Sequence, residues 1–212
     1  PGDEVILFEP FYDSYPVCVA LAGATARCCT LRYPDFAITE AELAPLFTAK
    51  TRLLLLNTPH NPTGKVYTRD ELEFIGSLAI EYDTLIYTDE IYEHILFDGL
   101  KHVYPFALPG LRERTVAISG LSKTYSVTGW RVGYCIAPAA LSAEFRKVHQ
   151  YNTFCTFGPA QWALAETIER LPEHYLGLPA FYQARRDHFR SLLAATPFRL
   201  LPVAGAYFQI VD

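Results

Sequence analysis

Short apolar strands alternating with capped helices put this chain in the α/β class, as three layers: a mostly parallel central sheet with helices on both faces. Three observations carry that reading. The runs Val5–Phe8, Arg52–Leu56 and Leu85–Thr88 are almost continuously apolar, as strands buried on both faces are. Helical stretches with their own start signals lie between them, so the order is strand, helix, strand. The strands also end at turn formers, Glu9-Pro10 after the first and Asn57-Thr-Pro59 after a later one.

Taken in order, Val5–Phe8 follows a Pro-Gly turn and reads as a buried strand. Asp13–Ala22 reads as a helix closed by Gly23, and Ala24–Leu31 as a second strand. Thr39-Glu-Ala-Glu42 has the pattern of a capping box and predicts a helix to about Ala49. Arg52–Leu56 is too short for a helix and predicts a central strand. A second capping box, Thr68-Arg-Asp-Glu71, opens a helix to about Tyr82, and Leu85–Thr88 is the strand after it. Thr115–Ile118 and Arg131–Ile136 read as two further strands flanking a small-residue turn. Beyond them, Leu141–Gln150, Pro159–Arg170 and Glu173–Ala195 read as helices, the last long and amphipathic. Phe198–Val203 and Ala206–Val211 read as strands separated by Ala204-Gly205.

With 212 residues, half of them hydrophobic and 14% aromatic, the chain can bury a sizeable core. A net charge of −5 argues against a nucleic-acid partner, which needs a basic face. No apolar run approaches the ~20 residues of a membrane span. Five cysteines, at 18, 28, 29, 135 and 155, show neither Cys-x-x-Cys pairing nor metal-ligand spacing with histidine, and read as reduced core thiols of a cytoplasmic protein. The chain lacks methionine, begins Pro-Gly-Asp-Glu-Val and stops in a strand-like run, so it is expected to be an excerpt of a longer protein.

Four stretches carry chemistry. Ser119-Gly-Leu-Ser-Lys123-Thr-Tyr sets one lysine in a turn of small residues, where a partly desolvated amine can serve as nucleophile or general base; an ordinary surface lysine is the competing reading. Asn57-Thr-Pro-His-Asn61-Pro-Thr-Gly64 is richer in turn formers than a connection needs, and is either an Asn-Pro turn or a binding loop. Asp89, in Thr88-Asp-Glu-Ile-Tyr92, ends a parallel strand, where α/β folds bind ligands and where Asp is also a helix cap. Glu9-Pro-Phe-Tyr12-Asp-Ser-Tyr15 places aromatics after the first strand, suited to a core or to a stacked ligand. Arg185, Arg186 and Arg190 read as an exposed charged helix face.

The segment Ser119–Tyr134 resembles the lysine motif of the fold-type I aminotransferases, the class I/II pyridoxal-phosphate enzymes: a serine-rich turn, a lysine, then Thr-Gly-Trp and a cation eight positions on. Here these are Lys123, Thr128-Gly-Trp130 and Arg131. The resemblance implies that Lys123 forms the Schiff base with pyridoxal 5′-phosphate and that Arg131 binds its phosphate. Many members carry a hydroxyl three residues before the lysine; this chain has Gly120, which leaves Ser119 or Ser122 for that hydrogen bond. The resemblance likewise implies Asn61 and Tyr92 on the cofactor's 3′-oxygen, Asp89 on its pyridine nitrogen, and Tyr12 stacked on its ring, with Phe11 as the substitute.

The likeness covers essentially the whole chain. Glu9–Tyr15, His60–Tyr67 and Asn152–Gln161 are most like the kynurenine, glutamine and methionine aminotransferase subgroup. It implies transamination between an L-amino acid, neutral, sulfur-containing or aromatic, and a 2-oxo acid. A same-fold cysteine-conjugate β-lyase would use the same residues. An inactive cofactor-binding relative is disfavoured because Lys123, Asp89, Asn61 and Tyr92 are all present. It implies too a large cofactor-binding domain over 1–172, a connecting helix over 173–196, the start of a small α+β domain over 197–212, and a homodimer in the full-length protein. The arginine for the substrate carboxylate is expected beyond Asp212, and the excerpt alone is expected not to turn over.

Overall fold

The computed structural model describes residues 1–212. Six strands, β1 (Glu4–Glu9), β2 (Thr25–Thr30), β3 (Thr51–Asn57), β4 (Leu85–Asp89), β5 (Thr115–Gly120) and β6 (Gly133–Ile136), form one sheet of order β2-β1-β3-β4-β5-β6. All neighbours are parallel except β6, which returns antiparallel to β5. The helices are α1 (Ser14–Leu21), α2 (Glu40–Leu43), α3 (Arg69–Glu81), α4 (Leu121–Thr124), α5 (Ala139–Asn152), α6 (Gly158–Arg170) and α7 (Pro172–Leu193).

Strand periodicity explains why the sheet is covered on both sides. Ile6 and Phe8 of β1, with Leu54 and Leu56 of β3, pack into the main core against Leu72, Ile75, Leu78 and Ala79 of α3. The alternate residues Val5 and Leu7, with Leu53 and Leu55, face the other way onto Tyr15 and Val19 of α1. A strand with apolar side chains on both faces is stable only in such a sandwich. The α3 start is a complete capping box: Thr68 Oγ1 accepts from the Glu71 N–H, and the Glu71 carboxylate accepts from the Thr68 N–H at 2.9 Å.

The structure corrects five sequence expectations. The helix predicted from Thr39 to Ala49 is one turn, α2, running into a 3-10 turn at Ala44–Leu46, and the Thr39 side chain caps nothing. Pro45 lacks the N–H that a continued helix would donate, so the Thr39-x-x-Glu42 pattern has no helix to open. The strand predicted from Arg131 starts at Gly133, because Arg131 adopts φ +55° in closing a 3-10 turn over Thr128–Trp130. The two predicted C-terminal strands are an isolated bridge between Leu200 and Val211, with paired Arg199–Asp212 backbone bonds. That segment lies on the body of the protein, where Ala204 and Gly205 both donate to the Gly64 carbonyl at 2.9 Å. Gly64 itself has φ +70°, and a Cβ there would come within 2.4 Å of Val203.

Of the five cysteines only Cys29 is buried, where burial pushes its thiol up to about 11; Cys18, Cys28 and Cys155 are exposed. Alternation on the edge strand β2 turns Cys28 outward where composition alone suggested a core thiol. The predicted arginine face of α7 is not simply solvated. Arg186 grips Asp98 with two nitrogens, at 2.5 and 2.8 Å, and Arg190 reaches the Leu201 carbonyl and Gln209. These arginines pin the last segment to α7.

Leu54 is fully buried on the central strand, whereas Leu21 is 83% exposed. Leu54→Ala is therefore expected to cost about 2–5 kcal/mol in urea unfolding, and Leu21→Ala less than about 0.5 kcal/mol. Similar losses for the two would contradict the assigned core.

Candidate active site

Four parallel strands end at the same edge of the sheet, and the residue types singled out above follow those ends. One cavity of about 290 Å³ opens there. Its wall holds Tyr12 after β1, Asn61 after β3, Asp89 and Tyr92 at the end of β4, and Ser119, Ser122, Lys123 and Arg131 in and after β5. Sequence separations of up to 119 residues, from Tyr12 to Arg131, are thus closed by strand register. Phe11 is absent from the wall and packs instead on the Val5–Leu7–Tyr15 cluster.

Asp89 lies directly opposite Asn57 in the β3–β4 register. The Asn57 amide donates to the Asp89 carbonyl at 2.9 Å, and its Oδ1 accepts from the Asn61 N–H at 2.6 Å. One asparagine thereby fixes the Asn61 turn to the neighbouring strand. The Asp89 carboxylate is held by two donors, the Tyr15 hydroxyl at 2.8 Å on Oδ2 and the Ile91 N–H at 3.2 Å on Oδ1. Burial raises its pKa, while these two hydrogen bonds oppose the rise.

Beside Asp89 the chain carries two more carboxylates, and the fold consumes both. Glu90 is buried between the Thr88 hydroxyl and His102 Nε2, each at 2.5 Å. Glu93 accepts from Ser119 Oγ at 2.5 Å and from the Tyr134 hydroxyl at 2.6 Å. The Ser119 hydroxyl is therefore turned into the protein, whereas the Ser122 side chain is free to meet a ligand. Gly120, where a hydroxyl residue was the familiar alternative, is crowded: a Cβ would lie 3.0 Å from Ile91 Cδ1 and 3.3 Å from the Val132 carbonyl.

Lys123 sits on the single turn α4, and Arg131 lies eight residues on, after the second short turn. Thr128 Oγ1 bonds to the Ser122 carbonyl at 3.3 Å and Arg131 Nη1 to the Thr128 carbonyl at 3.3 Å, which folds the segment back on itself. Neither cation joins any of the ion pairs of the molecule. Two unpaired cations and one fixed carboxylate on the same wall are the groups that can hold an anion next to an acid–base partner. A larger groove, about 570 Å³ between α7 and residues 207–210, is half aromatic and brings together no comparable set.

Sequence reasoning missed Tyr15, Asn57, Ile91, Ile118 and Thr128 on the cavity wall. Tyr15 stands three residues after Tyr12, and Asn57 four before Asn61; those spacings were the available signals. His60 is a buried part of the turn, with Nδ1 2.8 Å from Thr63 Oγ1. Tyr92 is also buried, edge-on to Tyr207 at 5.2 Å.

With that geometry in view, the comparisons are decisive as to family. The family model for aminotransferase class I and II matches residues 1–212. The chain belongs to that family. Among aminotransferases, a methionine aminotransferase of Escherichia coli is 46% identical over 211 residues, spanning all of this chain and 55% of its own. Kynurenine–oxoglutarate transaminase 3 of Rattus norvegicus is 41% identical over 229 residues, spanning all of this chain and 50% of its own. The solved N-succinyldiaminopimelate aminotransferase of Mycobacterium tuberculosis superposes with a TM-score of 0.97 at 37% identity, over 100% of this chain and 56% of that one. The chain spans about half the length of the curated relatives it matches. No helix of this aminotransferase chain is long and apolar enough to cross a membrane.

His60 makes the Asn57–Gly64 turn sensitive to acid. Burial lowers its pKa to about 4, so the folded state keeps the ring neutral while an unfolded histidine titrates near 6.5. The unfolded chain takes up the proton first as pH falls, so this stability is whole above about pH 6.5 and is lost toward pH 4, on the order of 3 kcal/mol. Urea midpoints at pH 7 and pH 4.5 are expected to fall further apart in the parent protein than in His60→Asn. Equal acid slopes would remove His60 from the account.

Proposed function

We propose that the intact protein is a pyridoxal-phosphate-dependent aminotransferase, moving an amino group between an L-amino acid and a 2-oxo acid, with sulfur-containing or aromatic amino acids favoured. One observation carries the reading: a single cavity gathers a doubly anchored carboxylate, an unpaired lysine and an unpaired arginine at the ends of parallel strands. Membership of the aminotransferase class I and II family supports the reaction. The methionine and kynurenine–oxoglutarate names of its relatives support the substrate preference.

The donor set suits pyridoxal phosphate. Asp89 would face the ring nitrogen, Asn61 and Tyr92 the 3′-oxygen, Tyr12 the ring face, and Arg131 with Ser122 the phosphate. Ser122 is preferred over Ser119 because the Ser119 hydroxyl is committed to Glu93. The bound cofactor supplies an electron sink for the substrate α-carbon. Asp89 would keep the ring nitrogen protonated. The Lys123 amine would be the base that takes the proton from the substrate α-carbon, a transfer that only an oriented neighbour can serve.

In this reading 1–172 is the cofactor-binding large domain, 173–196 the connecting helix, and 197–212 the beginning of a small domain laid against the large one. Homodimerisation is supported by an exposed apolar face around α5 and α6, with Tyr151 92%, Trp162 80%, Phe154 71% and Phe157 68% exposed. Five free thiols suit a cytoplasmic location.

The test is covalent capture. Borohydride treatment of the intact protein loaded with pyridoxal phosphate is expected to fix one cofactor on the peptide carrying Lys123, read by mass spectrometry, and none on Lys123→Ala. Transamination of methionine or kynurenine should fall at least a thousandfold in the variant, an order of magnitude expected when a proton-transfer and attachment group is removed. Cofactor trapped elsewhere would sink the proposal.

A further inference from the structure

We infer that Tyr15 is a positioning residue for Asp89, aiming that carboxylate into the cavity and keeping it ionised; the inference rests on the cofactor reading above. Asp89 has only two anchors. The Ile91 N–H on Oδ1, at 3.2 Å, is a local turn bond two residues along the chain, of the kind any Asx turn makes. The Tyr15 bond on Oδ2, at 2.8 Å, arrives from α1, 74 residues away. It is the anchor that ties the carboxylate to a different element of the fold.

Tyr15 is itself rigid. It is 8% exposed and packs with Val5, Leu7 and Val19 between the sheet and α1, with the Tyr12 ring edge-on at 5.8 Å. Phenylalanine would fill that apolar site equally well. The hydroxyl has no part in the packing, and its one hydrogen bond is to Asp89. Burial and the adjacent carboxylate drive the Tyr15 pKa far upward, so the hydroxyl remains a donor at any working pH. A permanent donor in a dry site stabilises the ionised carboxylate over the neutral acid. The remaining ionisable groups around Asp89 are Tyr87, Glu90 and Tyr92 on its own strand end, Tyr12 next to α1, and Lys123 and Arg131 on the cavity wall. None of these donates a hydrogen bond to the carboxylate.

The decisive variant is Tyr15→Phe in the intact protein, with its thermal midpoint as control for the fold. Without cofactor, the Asp89 carboxyl carbon is followed by 13C NMR in Asp-labelled protein, its signal assigned by its loss in Asp89→Asn. Tyr15→Phe is expected to move the Asp89 titration upward by about one pH unit, the size of one charge-assisted hydrogen bond. With cofactor, the same variant is expected to bind pyridoxal phosphate about tenfold more weakly, and the acid limb of kcat should move to higher pH. A folded variant with an unchanged Asp89 titration and unchanged cofactor affinity overturns the inference while the cofactor reading stands. Failure of the parent protein to attach pyridoxal phosphate at Lys123 overturns both.

Discussion

Parallel register is the constraint on which the site depends. Asn57 pairs with Asp89, and Asp89 with Ile118, so β3 and β4 finish level with one another and β5 runs only to Gly120 beyond them. Each hydrogen-bonded step between strands is about 4.8 Å, so residues remote in sequence arrive side by side without any loop having to search for them. The order β2-β1-β3-β4-β5-β6 reverses direction between β1 and β3, and open α/β sheets bind ligands at such a reversal. Tyr12 and Tyr15 come from one side of that crevice, Asn57 and Asn61 from the other.

The antiparallel return of β6 does a different job. Gly120 pairs with Gly133, so the twelve residues between them must leave the sheet and come back at the same place. Two short turns, α4 and the 3-10 turn ending at Arg131, take up that excursion and put Lys123 and Arg131 on one wall. The eight-residue spacing of the two cations, visible in the sequence, thus falls within a closed excursion. The φ of +55° at Arg131 is part of closing it.

Central strands and their partners were readable because apolar continuity on both faces leaves few alternatives; Leu53 to Leu56 could only be a covered strand. The eight residues named from short motifs at strand ends all line one cavity, because each motif follows a strand that ends at the same edge of the sheet. Tyr15 and Asn57 were not readable. Their roles arise from pairings with Asp89 over 74 and 32 residues, and nothing local distinguishes Tyr15 from a core aromatic. Thr39 and Thr68 open the same pattern, yet only Thr68 caps a helix, because Pro45 stops the first one within a turn. The C-terminal segment misled for a related reason. Its alternation reflects burial of Leu201, Val203 and Gly205 against the body, and burial of alternate residues needs no extended ladder.

The carboxylates near the end of β4 show how the fold chooses among chemically similar groups. Asp89, Glu90 and Glu93 lie within five residues, and from sequence any could have faced a ligand. Glu90 is closed off by Thr88 and His102. For Glu93, burial alone would raise the pKa, but hydrogen bonds from Ser119, Tyr134 and Tyr104 carry it below the ordinary range, leaving a charge spent on the protein. Those bonds run from the β4 end to both β5 and β6, so the charge also ties together the strands that flank the lysine turn. Asp89 is the one that reaches the cavity. Two satisfied carboxylates behind it fix the backbone from which it projects, since a buried charge with its partners in place resists displacement in a way that an apolar contact does not.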